Sequence, residues 1–252
     1  MFVTYNRLDL TKRMLDSLVK NTNSPYRLII VDNASTDGTA EWLIKLKRSY
    51  LNYLSDSTHC QGLDIHINDK NLGIGPGRNK GLEIAAQYKD PWLSTLDNDV
   101  ELNPGWLKEC IEIMEVNPRL ALGLNMENVA YPLVTRGGKT FQVKPAGNLG
   151  TACTVFHRDL HDRIGFFNTE YGLYGEEDAD FFFRARLVGW DLGYLKDMGV
   201  HFGQGELDTG EYREFKDSCR GKNLVKFRQN CRDYAAGQKP YYIPLPKSAN
   251  NS

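Results

Sequence analysis

The run Leu28-Ile29-Ile30-Val31 has no polar interruption and ends in Asp32. An apolar stretch that does not alternate is a strand buried on both faces, as in a parallel sheet. A second apolar run, Trp92-Leu93-Ser94-Thr95-Leu96, ends in Asp97-Asn98-Asp99. Around them the periodicity switches between strand and helix. Phe2–Thr4 is β-prone, and Leu8, Met14, Leu15, Leu18 and Val19 follow at helical spacing within 7–21. After the strand at 27–32 comes a helix carrying Ala40, Leu43, Ile44, Leu46 and Tyr50, then an alternating strand at 63–67. A glycine-rich loop at 71–77 and a helix over 78–88 lead to the strand at 92–96. This alternation predicts a parallel sheet covered on both faces. Right-handed crossovers leave the strand ends on one edge. Thr4–Asn6, Asp32–Ser35, the Asn71 loop and Asp97–Asp99 are therefore expected to meet in one cleft, where open α/β sheets bind ligands.

Asp97 and Asp99 at such an edge repel each other unless a cation or donor compensates. A hard divalent ion is one compensation. A polar turn that satisfies its own backbone is the other reading of the triplet.

Beyond Pro104 the pattern predicts a helix through Trp106, Leu107, Cys110, Ile111 and Met114, and strands at 120–124 and 151–156. Residues 125–150 have no clean period, but Arg136-Gly137-Gly138-Lys139 suits a hairpin turn. Gly175-Glu176-Glu177-Asp178-Ala179-Asp180 opens a helical segment, where acids favour the dipole. Trp190 to His201 reads as a return to a strand ending in His, and 211–235 as an amphipathic helix basic on one side. The proline-bearing end after Pro240 is expected to be extended or disordered.

The chain has 252 residues, enough for one large α/β domain or two small ones. A formal net charge of -1 gives no pull toward nucleic acid. No run reaches transmembrane length, and the start has no signal-peptide pattern. Five scattered cysteines without a CxxC fit reduced thiols, so a cytoplasmic location is expected.

The ordered set Thr4-Tyr5-Asn6-Arg7, Val31-Asp32-Asn33-Ala34-Ser35-Thr36-Asp37-Gly38, Asn71-x-Gly73 with Gly77-Arg78-Asn79-Lys80-Gly81, Asp97-Asn98-Asp99, Glu177-Asp178-x-Asp180 with Arg184 and Gly189-Trp190, then His201, resembles the family 2 inverting glycosyltransferases of the GT-A fold. The resemblance implies a Rossmann-like, mostly parallel central sheet with helices on both faces and a small antiparallel addition in the C-terminal half. It spans about residues 1–205, with a nucleotide-binding half at 1–100 and an acceptor half at 101–205; 206–252 form a helical extension and tail. It implies a nucleotide-diphosphate sugar donor, with UDP-sugar favoured, and Mn²⁺ or Mg²⁺. The acceptor is a glycan, a lipid-linked saccharide or a protein glycan.

By the same resemblance Thr4, Tyr5 and Arg7 line the nucleoside pocket. Asp32 bonds the base, with Ser35 in its turn. Gly73, Arg78 and Asn79 close over the nucleotide, and Asp97 with Asn98 faces ribose or sugar. Asp99 and His201 hold the metal, and Asp178 is the general base. Three acids precede Ala179, so Glu177 is the alternative base. Trp190 either packs in the core or stacks on a sugar. The basic C-terminal helix is a solvated face or a peripheral contact with the inner membrane face.

Inverting transfer needs a hydroxyl to attack the anomeric carbon opposite the leaving diphosphate, with a carboxylate taking its proton. Two alternatives stay open. A sugar nucleotidyltransferase would carry a glycine-rich signature with a lysine after the first strand, where Tyr5-Asn6-Arg7-Leu8 stands. A non-catalytic nucleotide-sugar or glycan-binding module would be expected to lack one of Asp99, Asp178 or His201, and all are present.

Overall fold

The computed structural model describes residues 1–53, 59–124, 133–136, 138–150, 152–196, 198–202 and 210–245. Its first half alternates as expected: β1 (Phe2–Thr4), α1 (Leu8–Asn21), β2 (Tyr26–Asp32), α2 (Thr39–Tyr53), β3 (Cys60–Ile67), α3 (Ile74–Ala85) and β4 (Trp92–Leu96). The second half adds β5 (Val100–Leu102), α4 (Trp106–Val116), β6 (Leu120–Leu124), β7 (Leu133–Arg136), β8 (Lys139–Pro145), β9 (Cys153–His157), α5 (Arg158–Ile164), α6 (Glu177–Leu187), β10 (Asp191–Leu195), β11 (Gly199–His201) and α7 (Gly210–Ala235). A short 3₁₀ turn at Thr169–Tyr171 precedes α6.

Among the described residues, nine strands form the main sheet in the order β3-β2-β1-β4-β9-β6-β10-β8-β7. The pairings β3-β2, β2-β1, β1-β4 and β6-β10 are parallel, and only β9 and β8 run against the rest. The antiparallel addition is the β7-β8 hairpin, which pairs Arg136 with Lys139, together with a separate two-stranded sheet of β5 and β11. Gly137 of the expected turn lies outside the described residues.

The unbroken apolar run of β2 has a direct cause. Leu28 and Ile30 enter one core cluster with Met14 and Leu15 of α1, Leu43 of α2 and Met114 of α4. Ile29 points the other way, into a cluster with Leu82 of α3, Leu160 of α5 and Phe181 and Phe182 of α6. Both faces are covered, so each alternate side chain meets helices.

Several elements differ from the sequence expectation. Helix α3 starts at Ile74, inside the expected loop, so Gly75, Pro76 and Gly77 are helical. Proline is tolerated in a first turn, where its missing N–H has no partner to lose. A Cβ on Gly77 would sit 2.8 Å from Val3 Cγ1, so glycine lets the helix press against β1. The segment before His201 is two strands: β10 joins the main sheet beside β6, and β11 leaves it to pair with β5. The chain after α7 is extended and returns to the domain: Ile243 bridges Gly165, and Tyr241 O accepts from Arg184. The end from 246 onward lies outside the described residues.

Candidate active site

The parallel register Thr4↔Asp32 and Phe2↔Leu96 places the carboxyl ends of β1, β2 and β4 on one edge. There a cleft of about 270 Å³ is lined by Thr4, Tyr5, Arg7, Asn33, Asn71, Gly73, Arg78, Asp97, Asn98, Asp99 and His201, and from later elements by Leu173, Tyr174, Phe215 and Lys216. A second cavity of about 330 Å³ opens at the opposite ends of β2 and β4, among Tyr26, Arg27, Asp90 and Trp92. It contains none of the motif residues.

The small sheet makes the acid–histidine contact. Val100 pairs with His201 across β5 and β11, and Phe202 N–H donates to Asp99 O at 3.0 Å. His201 Nε2 thereby lies 2.9 Å from Asp99 Oδ1. Burial lowers the His201 pKa, but the contact with Asp99 outweighs it and the net shift is upward. Asp99 Oδ1 is buried, and its 2.9 Å approach to His201 Nε2 pairs opposite charges when the imidazole is protonated. Among the described residues, no group hydrogen-bonds the buried His201 Nδ1. Single ligand atoms of Asp97, Asp99 and His201 all lie within 4.8 Å of one another. Two carboxylates and an imidazole converging in this way fit a divalent cation. Asp99 Oδ2 also accepts from Arg7 Nη1 at 3.1 Å.

Arg78 organises the other side. Its guanidinium, 3% exposed, donates to Asp97 Oδ1 at 2.8 Å and to Glu177 Oε1 at 3.2 Å. The Asp97 carboxyl is raised above its ordinary value by burial; Arg78 offsets part of this, and Asp99 adds repulsion. Burial and the adjacent Asp178 push Glu177 up to about 7, against the pull of Arg78. Asp178 is half-buried at the start of α6, and its Oδ1 accepts from Ala179 N–H at 2.8 Å.

Other candidates also make contacts that hold the frame, and of these Asn98 and Gly73 line the cleft. Asn98 Nδ2 donates to the hydroxyls of Thr4 and Thr11, both at 3.1 Å, and so ties the acid turn to β1 and α1. Asp32 is fully buried and accepts from Ser35 N–H at 2.9 Å and from Ser35 Oγ at 2.5 Å. Asn33, beside it, is the residue of that turn lining the cleft, and donates to Gly73 O at 2.9 Å. Asn79 exchanges two hydrogen bonds with the Phe167 backbone, which locks α3 to the segment before α6. Trp190 is 4% exposed in the second apolar cluster and does not line the cleft. A side chain on Gly73, whose φ is +93°, would sit 2.6 Å from Gly172 O.

Tyr174, Phe215 and Lys216 are cleft residues that no sequence motif marks as site candidates. Only the packing of α7 brings the last two there.

A mostly parallel sheet with an Asp-x-Asp turn at its carboxyl edge is the arrangement that the resemblance to GT-A glycosyltransferases leads one to expect. Residues 1–165 match the model of glycosyl transferase family 2, and the chain belongs to that family. It is 28% identical over 224 residues to the glycosyltransferase AglE of Haloferax volcanii, covering 83% of this chain and 68% of that protein. It is 25% identical over 238 residues to an N-acetylglucosaminyl-diphospho-decaprenol L-rhamnosyltransferase of Mycobacterium tuberculosis, covering 79% and 73%. Among solved structures, the mannosyltransferase PcManGT from Pyrobaculum calidifontis, in complex with GDP-Man and Mn²⁺, superposes with a TM-score of 0.67 at 17% identity. That match covers 97% of this chain and 65% of the mannosyltransferase, so this chain spans about two thirds of its length. TarS 1-349 of S. aureus, in complex with UDP-GlcNAc, gives 0.57 at 18% identity, covering 93% and 71%. The family sets aside both the nucleotidyltransferase and the non-catalytic module. No helix among the described residues is long and apolar enough to cross a membrane.

Proposed function

We propose that this chain is a metal-dependent, inverting transferase that moves a sugar from a nucleotide-diphosphate sugar, with UDP-sugar favoured, to a hydroxyl of a glycan, a lipid-linked saccharide or a protein glycan. The observation that carries this reading is the convergence of Asp97, Asp99 and His201 at the edge where β1, β2 and β4 end. Thr4, Tyr5, Arg7, Asp32, Ser35, Gly73, Arg78 and Asn79 shape the nucleotide side, directly or through the contacts above. Asp97 faces the ribose or sugar. Residues 1–205 are the transferase domain, with 1–100 the nucleotide half and 101–205 the acceptor half.

The acceptor oxygen attacks the anomeric carbon as its proton passes to a carboxylate. The bond from that carbon to the diphosphate oxygen breaks, and its electron pair leaves on the diphosphate. We assign the proton to Asp178. Both acids are coupled to Asp97, but Glu177 is buried and held by Arg78, whereas Asp178 is half-buried. Asp99 and His201, with Asp97 beside them, would hold the divalent ion, Mn²⁺ or Mg²⁺. When bound, the ion supplies Lewis-acid neutralisation of the departing diphosphate. Arg7 then keeps Asp99 oriented, and Arg78 keeps Asp97 in place.

The chain works in the cytoplasm, with the basic α7 able to rest on the inner membrane face when the acceptor is lipid-linked. Asp178→Asn tests the assignment. Donor affinity should stay within about threefold of wild type while transfer falls by about 10²-fold or more. Transfer that survives in Asp178→Asn and vanishes in Glu177→Gln would move the base to Glu177. A product of retained anomeric configuration would sink the inverting reading.

A further inference from the structure

Helix α7 lies beyond the 1–165 segment that defines the family, yet it enters the cleft. Phe215 and Lys216, from its first turns, line the same cavity as Arg7, Asp97, Asp99 and His201. The helix is anchored by polar contacts. The buried Asn223 amide donates to Tyr171 O at 2.7 Å, Tyr174 O at 2.8 Å and Gly175 O at 3.2 Å. Farther along, Asn230 donates to the Tyr171 hydroxyl at 2.9 Å, and the Tyr234 hydroxyl donates to Asp180 Oδ2 at 3.1 Å. The segment 171–175, which carries the cleft residues Leu173 and Tyr174, is thus fastened to α7.

Lys216 and Arg220 stand four residues apart on one face of α7, and both address Tyr174. Lys216 Nζ is 4.7 Å from the ring centroid, and Arg220 Nη2 donates to the phenol oxygen at 2.9 Å. The Lys216 charge also reaches into the cleft, where it works against protonation of His201. Among the described residues, Arg7 and Arg78 also line the cleft, Arg7 bound to Asp99 and Arg78 to Asp97 and Glu177, so Lys216 adds a third positive charge. Their charge is largely balanced before any anion arrives. A diphosphate entering beside two carboxylates needs positive charge beyond theirs.

We propose that Lys216 is a diphosphate-binding residue of the donor site, supplied by α7, which contacts the phosphate oxygens of a nucleoside diphosphate and keeps contact as the diphosphate leaves. Lysine suits this role as a compact point charge on a flexible stem. The proposal rests on the donor-cleft reading above and adds to it a residue from outside the family segment. It also gives α7 a function at the site, because the Asn223 anchorage sets where the lysine stands.

The test is calorimetric titration of UDP, GDP and the matching nucleosides, uridine and guanosine, into the full chain with Mn²⁺ present. Lys216→Met is compared with wild type and with Lys216→Arg. The expected result is a loss of about tenfold or more in diphosphate affinity for Lys216→Met, the weight of one charge-assisted contact. Nucleoside affinity should be unchanged, and Lys216→Arg should recover most of the loss. Equal diphosphate affinity in Lys216→Met and wild type overturns the role of Lys216 and leaves the donor cleft standing. An equal loss of nucleoside and diphosphate affinity overturns it too, because it marks a general disturbance of the cleft. Failure of wild type to bind either diphosphate overturns the proposal together with the donor reading.

Discussion

Arg78 Nη1 and Glu177 Oε1 meet at 3.2 Å although 99 positions separate them in the chain. Both side chains are buried, and Arg78 spans from Glu177 to Asp97. The start of α6 is thereby joined to the acid turn after β4, so the base candidates and the metal candidates share one rigid frame. Burial and the neighbouring Asp178 still dominate at Glu177, whose carboxyl is pushed up to about 7 from an ordinary 4.5.

That shift has a sign. A carboxyl whose pKa is higher folded than unfolded favours the folded state fully below about 4.5, and the benefit is lost as pH rises through about 7. The loss amounts to about 3 kcal/mol for Glu177 ionisation. Glu177→Gln keeps an acceptor for Arg78 but cannot ionise. Urea unfolding midpoints between pH 5 and pH 8 should therefore fall less steeply in Glu177→Gln than in wild type. Parallel pH curves would contradict this.

Arg184 is fully buried. It donates to Asp180 Oδ1 at 2.7 Å and to three carbonyls: Ile164 O at 2.7 Å, Phe166 O at 2.9 Å and Tyr241 O at 3.2 Å. Lysine cannot reproduce this planar fork. Arg184→Lys should destabilise by about 3 kcal/mol, because it strands buried acceptors around Asp180. A thermal midpoint within about 2 °C of wild type would show that the fork is dispensable.

Ala34 has φ +63°, in the left-handed region, within the turn that follows β2. Holding a side chain there costs about 1–2 kcal/mol, more than glycine loses through its freer unfolded chain. Ala34→Gly should raise stability by about 0.5 kcal/mol in urea titration, with the midpoint moving up. A lowered midpoint would mean that the Ala34 methyl makes a compensating contact.

Much of the fold could be read from periodicity because β2 and β4 are apolar runs between amphipathic helices, and that pattern has few solutions. The convergence of the β1, β2 and β4 ends followed from that alternation, whereas the parts of the cleft supplied by 173–174 and α7 did not. The glycines at 75 and 77 hid the start of α3: glycine has low helix propensity, and at 77 it answers close packing on Val3, a tertiary demand that no local pattern displays. The docking face of α7 was hidden for the opposite reason. The amphipathic pattern expected over 211–235 is corrected by the structure: the buried positions of α7 are Asn223, Asn230 and Tyr234, a mostly polar face that an apolar stripe does not mark. With that face unread, Lys216 had no visible link to the site. Trp190 could serve core or sugar by chemistry, and only packing distinguishes the two. Asn98 lines the cleft, and its bonds to the hydroxyls of Thr4 and Thr11 were not legible because those residues lie 94 and 87 positions away.

The central question is whether the Asp97–Asp99–His201 cleft binds a nucleoside diphosphate through a divalent ion. Calorimetry of UDP and GDP into wild type with Mn²⁺, with excess EDTA, and into Asp99→Ala with Mn²⁺ answers it. Saturable binding of at least one diphosphate is expected with Mn²⁺, weakened about tenfold or more both by chelation and by Asp99→Ala. Affinity that is the same with Mn²⁺, with EDTA and in Asp99→Ala would contradict the metal role; no binding of either diphosphate would contradict the donor site itself.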